Sequence, residues 1–206
     1  LYELLKGGWM MLPLAVCSVA AVAVIIERFF FFRRISDTKL AEQVLNMIGS
    51  EHRNEALNLA RKSSLPLLKI MAVGINNRLS PAKAMEAAGI TELSTMRRGL
   101  PVLDTIVTLS PLLGLLGTII GMINSFQIMA LSGMGQPHAV TGGVAEALIA
   151  TATGITVAVI SLIPYNYFLS RIERETDTIE HYATRLEIAL TSSARRTADE
   201  DTSKTA

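Results

Sequence analysis

Cysteine is almost absent from the chain. Cys17 is the only one in 206 residues, which excludes an intrachain disulfide framework and a cysteine-based metal centre. Its place inside an apolar run reads as a small buried hydrophobe. Aromatic residues make up 5% of the chain, with Trp9 the sole tryptophan. No stretch alternates apolar and polar residues at strand period, and no glycine-rich loop could cradle a phosphate. Serine, histidine and aspartate do not cluster as an activated nucleophile requires, so the sequence points to no enzyme, cofactor or metal. His52 and His181 lie in charged helical stretches and are expected to be solvated. The formal net charge is +1, so nothing overall suggests nucleic acid as a partner.

The most informative absence is local. Between Thr105 and Ser170 there is one charged side chain, Glu146. Half of the residues are hydrophobic and the mean hydropathy is +0.40, too apolar for an ordinary soluble domain. Charge is distributed in blocks: Glu3 and Lys6 precede the first apolar run, eleven Lys and Arg fall from Arg33 to Arg98, and six follow Ser170. Alternating oily and charged blocks mean membrane spans with aqueous connections, and a lipid bilayer as the first partner.

Three spans follow. The first runs from Gly8 to Phe32, with Trp9 as an interfacial anchor and Glu27 beside Arg28 as a pair reaching for the opposite headgroups. It is too long for a signal-peptide core and is followed by Arg33 and Arg34, so it reads as a retained span. The chain starts at Leu1 and not at methionine, so a few preceding residues are expected. The second span covers 105–131 and the third 139–170. They are separated by a short loop, 132–138, that Gly133, Gly135 and Pro137 mark as a turn. Basic residues flank the cytoplasmic ends (Arg33, Arg34 and Lys39; Arg97 and Arg98; Arg171 and Arg174), giving an N-out, C-in topology with the 132–138 loop periplasmic.

The long connection, 33–104, reads as short amphipathic helices in the cytoplasm. Leu40, Val44, Leu45 and Ile48 recur at helical spacing, as do Ala56, Leu57 and Ala60, then Leu67, Leu68 and Met71. Ser80 before Pro81 is a helix start with a capping serine, and Pro101 predicts a kink or break. Beyond the third span, Ile172, Ile179, Tyr182, Leu186 and Leu190 keep helical period. The segment 171–206 is therefore a cytoplasmic extension that becomes a polar, disordered tail at about Ser192. The fold class is an all-α integral membrane protein whose long helices extend into a cytoplasmic helical bundle.

Two faces carry the candidate chemistry. At about 100° per residue, Pro111, Gly114, Thr118, Gly121 and Ser125 share one side of the second span. Gly117 and Gly121 add the small-residue spacing that lets helix backbones approach. In the third span, the run GGVAEALIATATG from Gly142 to Gly154 puts Glu146, Ala150, Thr153 and Val157 on one face, with Thr151 about 140° away. A lone carboxyl at membrane depth is expensive and is retained for ion routes or proton relays. Threonine hydroxyls both donate and accept, so they can orient a proton without adding fixed charge. The competing reading is a permanently neutral glutamate bonded to a neighbouring helix. Polar groups in two directions suit a homo-oligomer, with one face toward a channel and one toward a neighbour.

The runs SPLLGLLGTIIG, from Ser110 to Gly121, and GVAEALIATATG, from Gly143 to Gly154, resemble the MotA/TolQ/ExbB proton-channel family. Three spans with a large helical segment between the first two resemble its ExbB and TolQ branch, ExbB more than TolQ; the four-span flagellar stator branch fits poorly. The resemblance implies a multi-pass protein of the bacterial inner membrane, assembled as a pentamer around helices of a single-span ExbD-like partner with an acidic membrane residue. Such a complex uses the proton motive force to drive a TonB-like protein that powers outer-membrane nutrient uptake. By motif position, Glu146 matches the family's membrane glutamate, and Thr118 and Thr151 its pore-side threonines. Thr153, which the helical wheel groups with Glu146, stands second. Gly114, Gly117, Gly121, Gly142 and Gly154 are the expected packing glycines. The alternatives are a TolQ-like subunit serving envelope maintenance and a non-conducting membrane scaffold. A small-molecule transporter is disfavoured, because three spans carry no inverted repeat.

Overall fold

The computed structural model describes residues 8–33, 38–50, 52–77, 79–132 and 137–204, with side chains described through 130 and from 141 to 193 in the last two helices. Among the described residues all regular structure is helical: α1 (Met11–Phe32), α2 (Thr38–Gly49), α3 (Arg53–Lys62), α4 (Pro66–Asn76), α5 (Pro81–Arg97), α6 (Leu100–Ser132) and α7 (Pro137–Lys204). The expected turn at Gly133 and Gly135 lies outside the described residues. The chain divides into two compact units, Leu1–Phe29 with Gly99–Leu169, and Phe30–Arg98 with Ser170–Ala206.

The first unit holds most of α1, α6 and the first part of α7. Three helices are long and apolar enough to cross a membrane. The 22 residues of α1 rise about 33 Å, enough for a hydrocarbon core of about 30 Å. In the part of α1 within this unit Leu14, Ala21 and Arg28 are well buried, whereas Leu12, Val16 and Val19 are exposed. The outer faces of α6 and α7 are equally oily, with Leu112, Leu115, Ile155 and Ile163 exposed. A surface this apolar suits lipid or a neighbouring helix and not water. Cys17 lies on the flank of α1 and is partly exposed, not the buried hydrophobe expected.

The break before the second span falls at Gly99, whose φ of 83° is the left-handed conformation that favours glycine. Pro101 sits in the first turn of α6, where a missing N–H leaves no bond unmade. It therefore stands just after the expected break, which separates α5 from α6, and begins the new helix. A Cβ at Gly99 would come within 3.2 Å of Val24 Cγ1 and 3.9 Å of Arg28 Nε. Arg28 does pair with Glu27 at 2.7 Å, but its side chain is 4% exposed against 63% for Glu27. The guanidinium folds inward toward Gly99 and does not snorkel outward; Glu27 alone faces out.

The second unit is built around α4, which buries Leu67, Leu68, Ile70, Met71, Ala72 and Ile75, nearly its whole circumference. Against it stand the apolar faces of α2 (Ala41, Val44, Leu45, Ile48), α3 (Ala56, Ala60) and α5 (Met85, Met96). Pro66 and Pro81 occupy first-turn positions of α4 and α5. The Ser80 hydroxyl makes no capping bond; Asn77 Oδ1 instead accepts from the N–H groups of Leu79 and Ser80, at 3.2 and 3.1 Å. Lys69 meets Glu92 at 3.3 Å to link α4 with α5, and the Arg53 guanidinium donates to the Ile75 carbonyl.

In α7 of this unit Ile172, Ile179, Tyr182, Leu186 and Leu190 are buried on one side. Glu42 of α2 accepts from the Tyr182 hydroxyl at 3.0 Å and from both terminal nitrogens of Arg185 at 2.6 and 3.1 Å. The bonds to Arg185 and Tyr182 hold the Glu42 carboxyl below its ordinary pKa. The contribution of this clasp is complete above the ordinary carboxylate range and is lost as pH falls through the lowered folded-state value. The protection of α2 amides, taken against the intrinsic exchange rate at each pH, should therefore fall on acidification in the wild type, and Glu42→Gln should remove that part of the pH dependence. Glu175 is shifted the other way, upward, because burial outweighs the nearby Arg171. It is less solvated than its charged neighbourhood suggests. His52 and His181 are exposed. The tail expected to be disordered from Ser192 is instead helical to Lys204. No glycine or proline interrupts it, and alanine, arginine and glutamate favour continuation.

Candidate functional site

Glycines set the spacing between α6 and α7. A Cβ on Gly114 would lie 3.0 Å from both the Ala150 carbonyl oxygen and Thr151 Cα, and one on Gly117 would lie 2.7 Å from Ala150 Cβ. One on Gly121 would meet Ala147 Cβ at 2.8 Å. From the other side, a Cβ on Gly154 would strike the Ser110 carbonyl oxygen and stand 3.0 Å from Gly114 Cα. Gly114 and Gly154 face backbone atoms and Gly117 and Gly121 face alanine methyls, the close approach that small residues permit between membrane helices. Gly142 meets nothing within 4 Å; its neighbour Gly143 takes the expected packing place, against the Ser125 hydroxyl. The run of two glycines hides which one faces α6, and one position is 100° of helix.

Thr151 stands at one edge of this seam and donates across it to the Gly114 carbonyl at 2.9 Å. Thr118, one turn beyond Gly114, is half-buried and donates to Leu115 O within its own helix at 2.6 Å. Both hydroxyl oxygens keep acceptor capacity.

Glu146 lies at the other edge. Its carboxyl packs against the backbone of Gly8, at the start of the first helix, so closely that a Cβ there would collide with Oε1 and stand 3.3 Å from Cδ. Gly8 has φ 71°, so the approach depends on glycine twice, in conformation and in space. The glutamate is exposed on the surface of the single chain. Thr153 shares this side, lining with Val157 and with Gly8, Trp9, Leu12 and Val19 an apolar cavity of about 550 Å³. The Thr153 hydroxyl is turned back to Ile149 O at 2.8 Å. Within one chain, Glu146 and Thr153 thus border α1, whereas Thr151 borders α6, and the structure does not bring Glu146 together with Thr118 or Thr151.

Two polar features escaped the sequence reading. Ser110 is completely buried, and its hydroxyl finds no hydrogen-bond partner among the described residues. At the far end of the spans, the Asp104 carboxylate of α6 lies near the Tyr165 hydroxyl of α7. Asp104 stands one residue before the charge-free stretch, so a search that begins at Thr105 passes it by. The signal that could have found it is the helical wheel: Asp104, Thr108 and Thr118 fall within about 80° on α6.

The arrangement offers one carboxyl, hydroxyls on both flanks of a closely packed helix pair, and a second acid remote from the first. Among the described residues no group of His, Cys, Asp and Glu is placed to hold a metal. Residues 65–181, which contain Asp104, Thr118, Glu146 and Thr151, match the MotA/TolQ/ExbB proton channel family. An ExbB-like 3 biopolymer transport protein of Synechocystis sp. is 34% identical over 192 residues, covering 89% of this chain and 91% of its own. Biopolymer transport protein ExbB of Neisseria gonorrhoeae is 32% identical, covering 70% of this chain and 61% of its own. Tol-Pal system protein TolQ of Pseudomonas aeruginosa is 41% identical over 92 residues, covering 45% and 40%. The chain is a membrane protein of the MotA/TolQ/ExbB proton channel family.

Proposed function

We propose that the chain is the stationary, proton-conducting subunit of an ExbB-like energy-transducing complex in a bacterial inner membrane. In this reading it forms a pentamer, N-out and C-in. The pentamer surrounds a single-span ExbD-like partner with an acidic membrane residue and delivers the proton motive force to a TonB-like protein that powers outer-membrane uptake. The observation that carries the reading is Glu146, the one charged side chain between Thr105 and Ser170, set at the edge of a glycine-tightened helix pair. A membrane potential contributes about 2.3 kcal/mol per charge per 100 mV, enough to bias a conformational step when that carboxyl is loaded. Thr118, Thr151 and Thr153 supply the hydroxyls of the route. In a pentamer the α6 flank of one chain and the α1 flank of its neighbour can face each other, which would unite groups that one chain keeps apart.

The test is a deletion strain and a reconstituted complex. Loss of gradient-driven outer-membrane uptake with normal septation is the expected phenotype, together with proton entry into vesicles containing the purified complex. The reverse phenotype, defective septation and envelope integrity with normal uptake, would assign the TolQ-like role, which the higher local identity to TolQ favours. A complex that assembles fully yet passes no proton is a scaffold, and the reading then fails.

A further inference from the structure

We propose that a groove between α5 and α7, in the second unit of the chain, receives the basic amphipathic flank of a single-span membrane partner. The proposal rests on the energy-transducing reading above and names where this chain holds the partner outside the bilayer. The groove has a volume of about 440 Å³. Its floor is apolar, with Met85, Gly89 and Ile179 buried, and Ile90 and Leu93 stand along the α5 side. Ile90 is 66% exposed, a large side chain left open beside a concave apolar surface. Glu86, Glu180 and Glu187 line the same groove and are exposed; among the described residues no lysine or arginine lines it.

An acid on a helix surface is ordinarily a solvated group and nothing more. Elsewhere in this unit, however, Glu42, Glu92 and Glu175 each meet a base, whereas none of the three groove carboxylates pairs with a cation among the described residues. Three like charges around an apolar trough fit a helix that presents apolar side chains at i, i+3 and i+4 between lysines or arginines. The cytoplasmic flank of a single-span protein has that charge, because Lys and Arg are in excess within about 15–20 residues of the membrane. Reach agrees with charge. Thr176, at one end of the groove, is six residues past Ser170, where the charge-free stretch stops, and Glu187 is seventeen past it. At about 1.5 Å per residue these lie about 9 and 26 Å along α7. A helical flank of about 15–20 residues rises about 22–30 Å and covers that range.

The test is photocrosslinking in membranes of cells that make this chain together with its single-span partner. Benzoylphenylalanine replaces Ile90 in one variant and Thr184, on the α7 side of the groove, in a second. In a third it replaces Ile188, which is exposed but outside the groove. Mass mapping should place the first two adducts on the Lys- and Arg-bearing cytoplasmic flank of the partner, and the third should give none there. Glu86→Gln, Glu180→Gln and Glu187→Gln combined should lower that yield about tenfold, as expected for three exposed ion pairs of modest strength. Raised salt should lower it likewise. Glu55→Gln, which neutralises an exposed acid of α3 outside the groove, should leave it unchanged. Adducts to a second copy of this chain would make the groove a subunit contact and overturn the proposal. Partner adducts that survive the triple neutralisation overturn it too, as does a partner that co-purifies fully yet forms no adduct at either groove position; the broader reading stands in each case. If no single-span membrane protein co-purifies with the wild-type chain, the broader reading fails and takes this one with it.

Discussion

Gly154→Val is expected to force α6 and α7 apart and to abolish the assembled complex. The first added atom would land on the Ser110 carbonyl oxygen and 3.0 Å from Gly114 Cα. Both are main-chain atoms of a helix, so no rotamer change can relieve them. Overpacking a tight site costs about 1–3 kcal/mol. Valine adds two further methyl groups, and at the Ser110 level the seam already contains a buried hydroxyl with no partner. A shift of α6 would also stretch the 2.9 Å bond from Thr151 to the Gly114 carbonyl, leaving the Thr151 hydroxyl without its acceptor across the seam. Detergent-solubilised Gly154→Val should lose its oligomer peak or melt well below wild type. Gly142→Val is the matched control, with the same added volume at a position that meets nothing within 4 Å in the chain. Equal behaviour of Gly154→Val and wild type would show that the seam is looser than its distances state.

The helical class and the three long apolar helices were legible because both are written in composition and period. A run of side chains without charge needs a solvent without water, and i, i+3, i+4 spacing marks the faces that pack. What stayed hidden depends on a direction within the helix or on a partner from elsewhere in the chain. The pair Gly142 and Gly143 carries no sign of which glycine faces α6. Long basic side chains usually reach for water, so the sequence points to a snorkelling Arg28, yet a Glu27 partner and the space beside Gly99 let it fold inward. Pro101 reads equally as a helix breaker and as a first-turn residue; the glycine two positions earlier decides. Ser80 before Pro81 has the form of a cap, but its hydroxyl makes no capping bond, and Asn77 instead ties the turn ahead of α5 by accepting from the N–H groups of Leu79 and Ser80. The polar composition of the α7 tail points to disorder, yet its alanine, arginine and glutamate residues favour helix, and the helix runs on to Lys204. In the site itself, the motif picked Thr151 and the wheel picked Thr153 beside Glu146. The geometry gives the wheel the neighbours on α1 and gives Thr151 its bond to α6. Gly8, whose bare backbone receives the Glu146 carboxyl, is far away in sequence and nothing near it announces the contact.

Replacing Glu146 by glutamine tests the chemistry with the least disturbance. Glutamine matches the length of glutamate and can donate and accept hydrogen bonds, so the contact with Gly8 and the exposed setting beside α1 are kept. It does not titrate. Glu146→Gln should therefore assemble at wild-type levels yet lose proton entry and energised work by at least about a hundredfold, the lower range of effect when a proton-transferring group is removed. Glu146→Asp keeps the titratable group but draws it back by one methylene from the Gly8 backbone, and intermediate function is expected. The threonines then report which flank of α7 the route follows. Thr151→Val removes the donor to Gly114 O and should weaken assembly as well as flux. Thr153→Val deletes only a bond within α7, so any loss of flux there belongs to the α1 side. Flux lost in Glu146→Gln and Thr153→Val with assembly intact would run the route along the α1 cavity. Full energised work with glutamine at 146 would leave the carboxyl a neutral bonding group and remove the basis for proton transfer at this position.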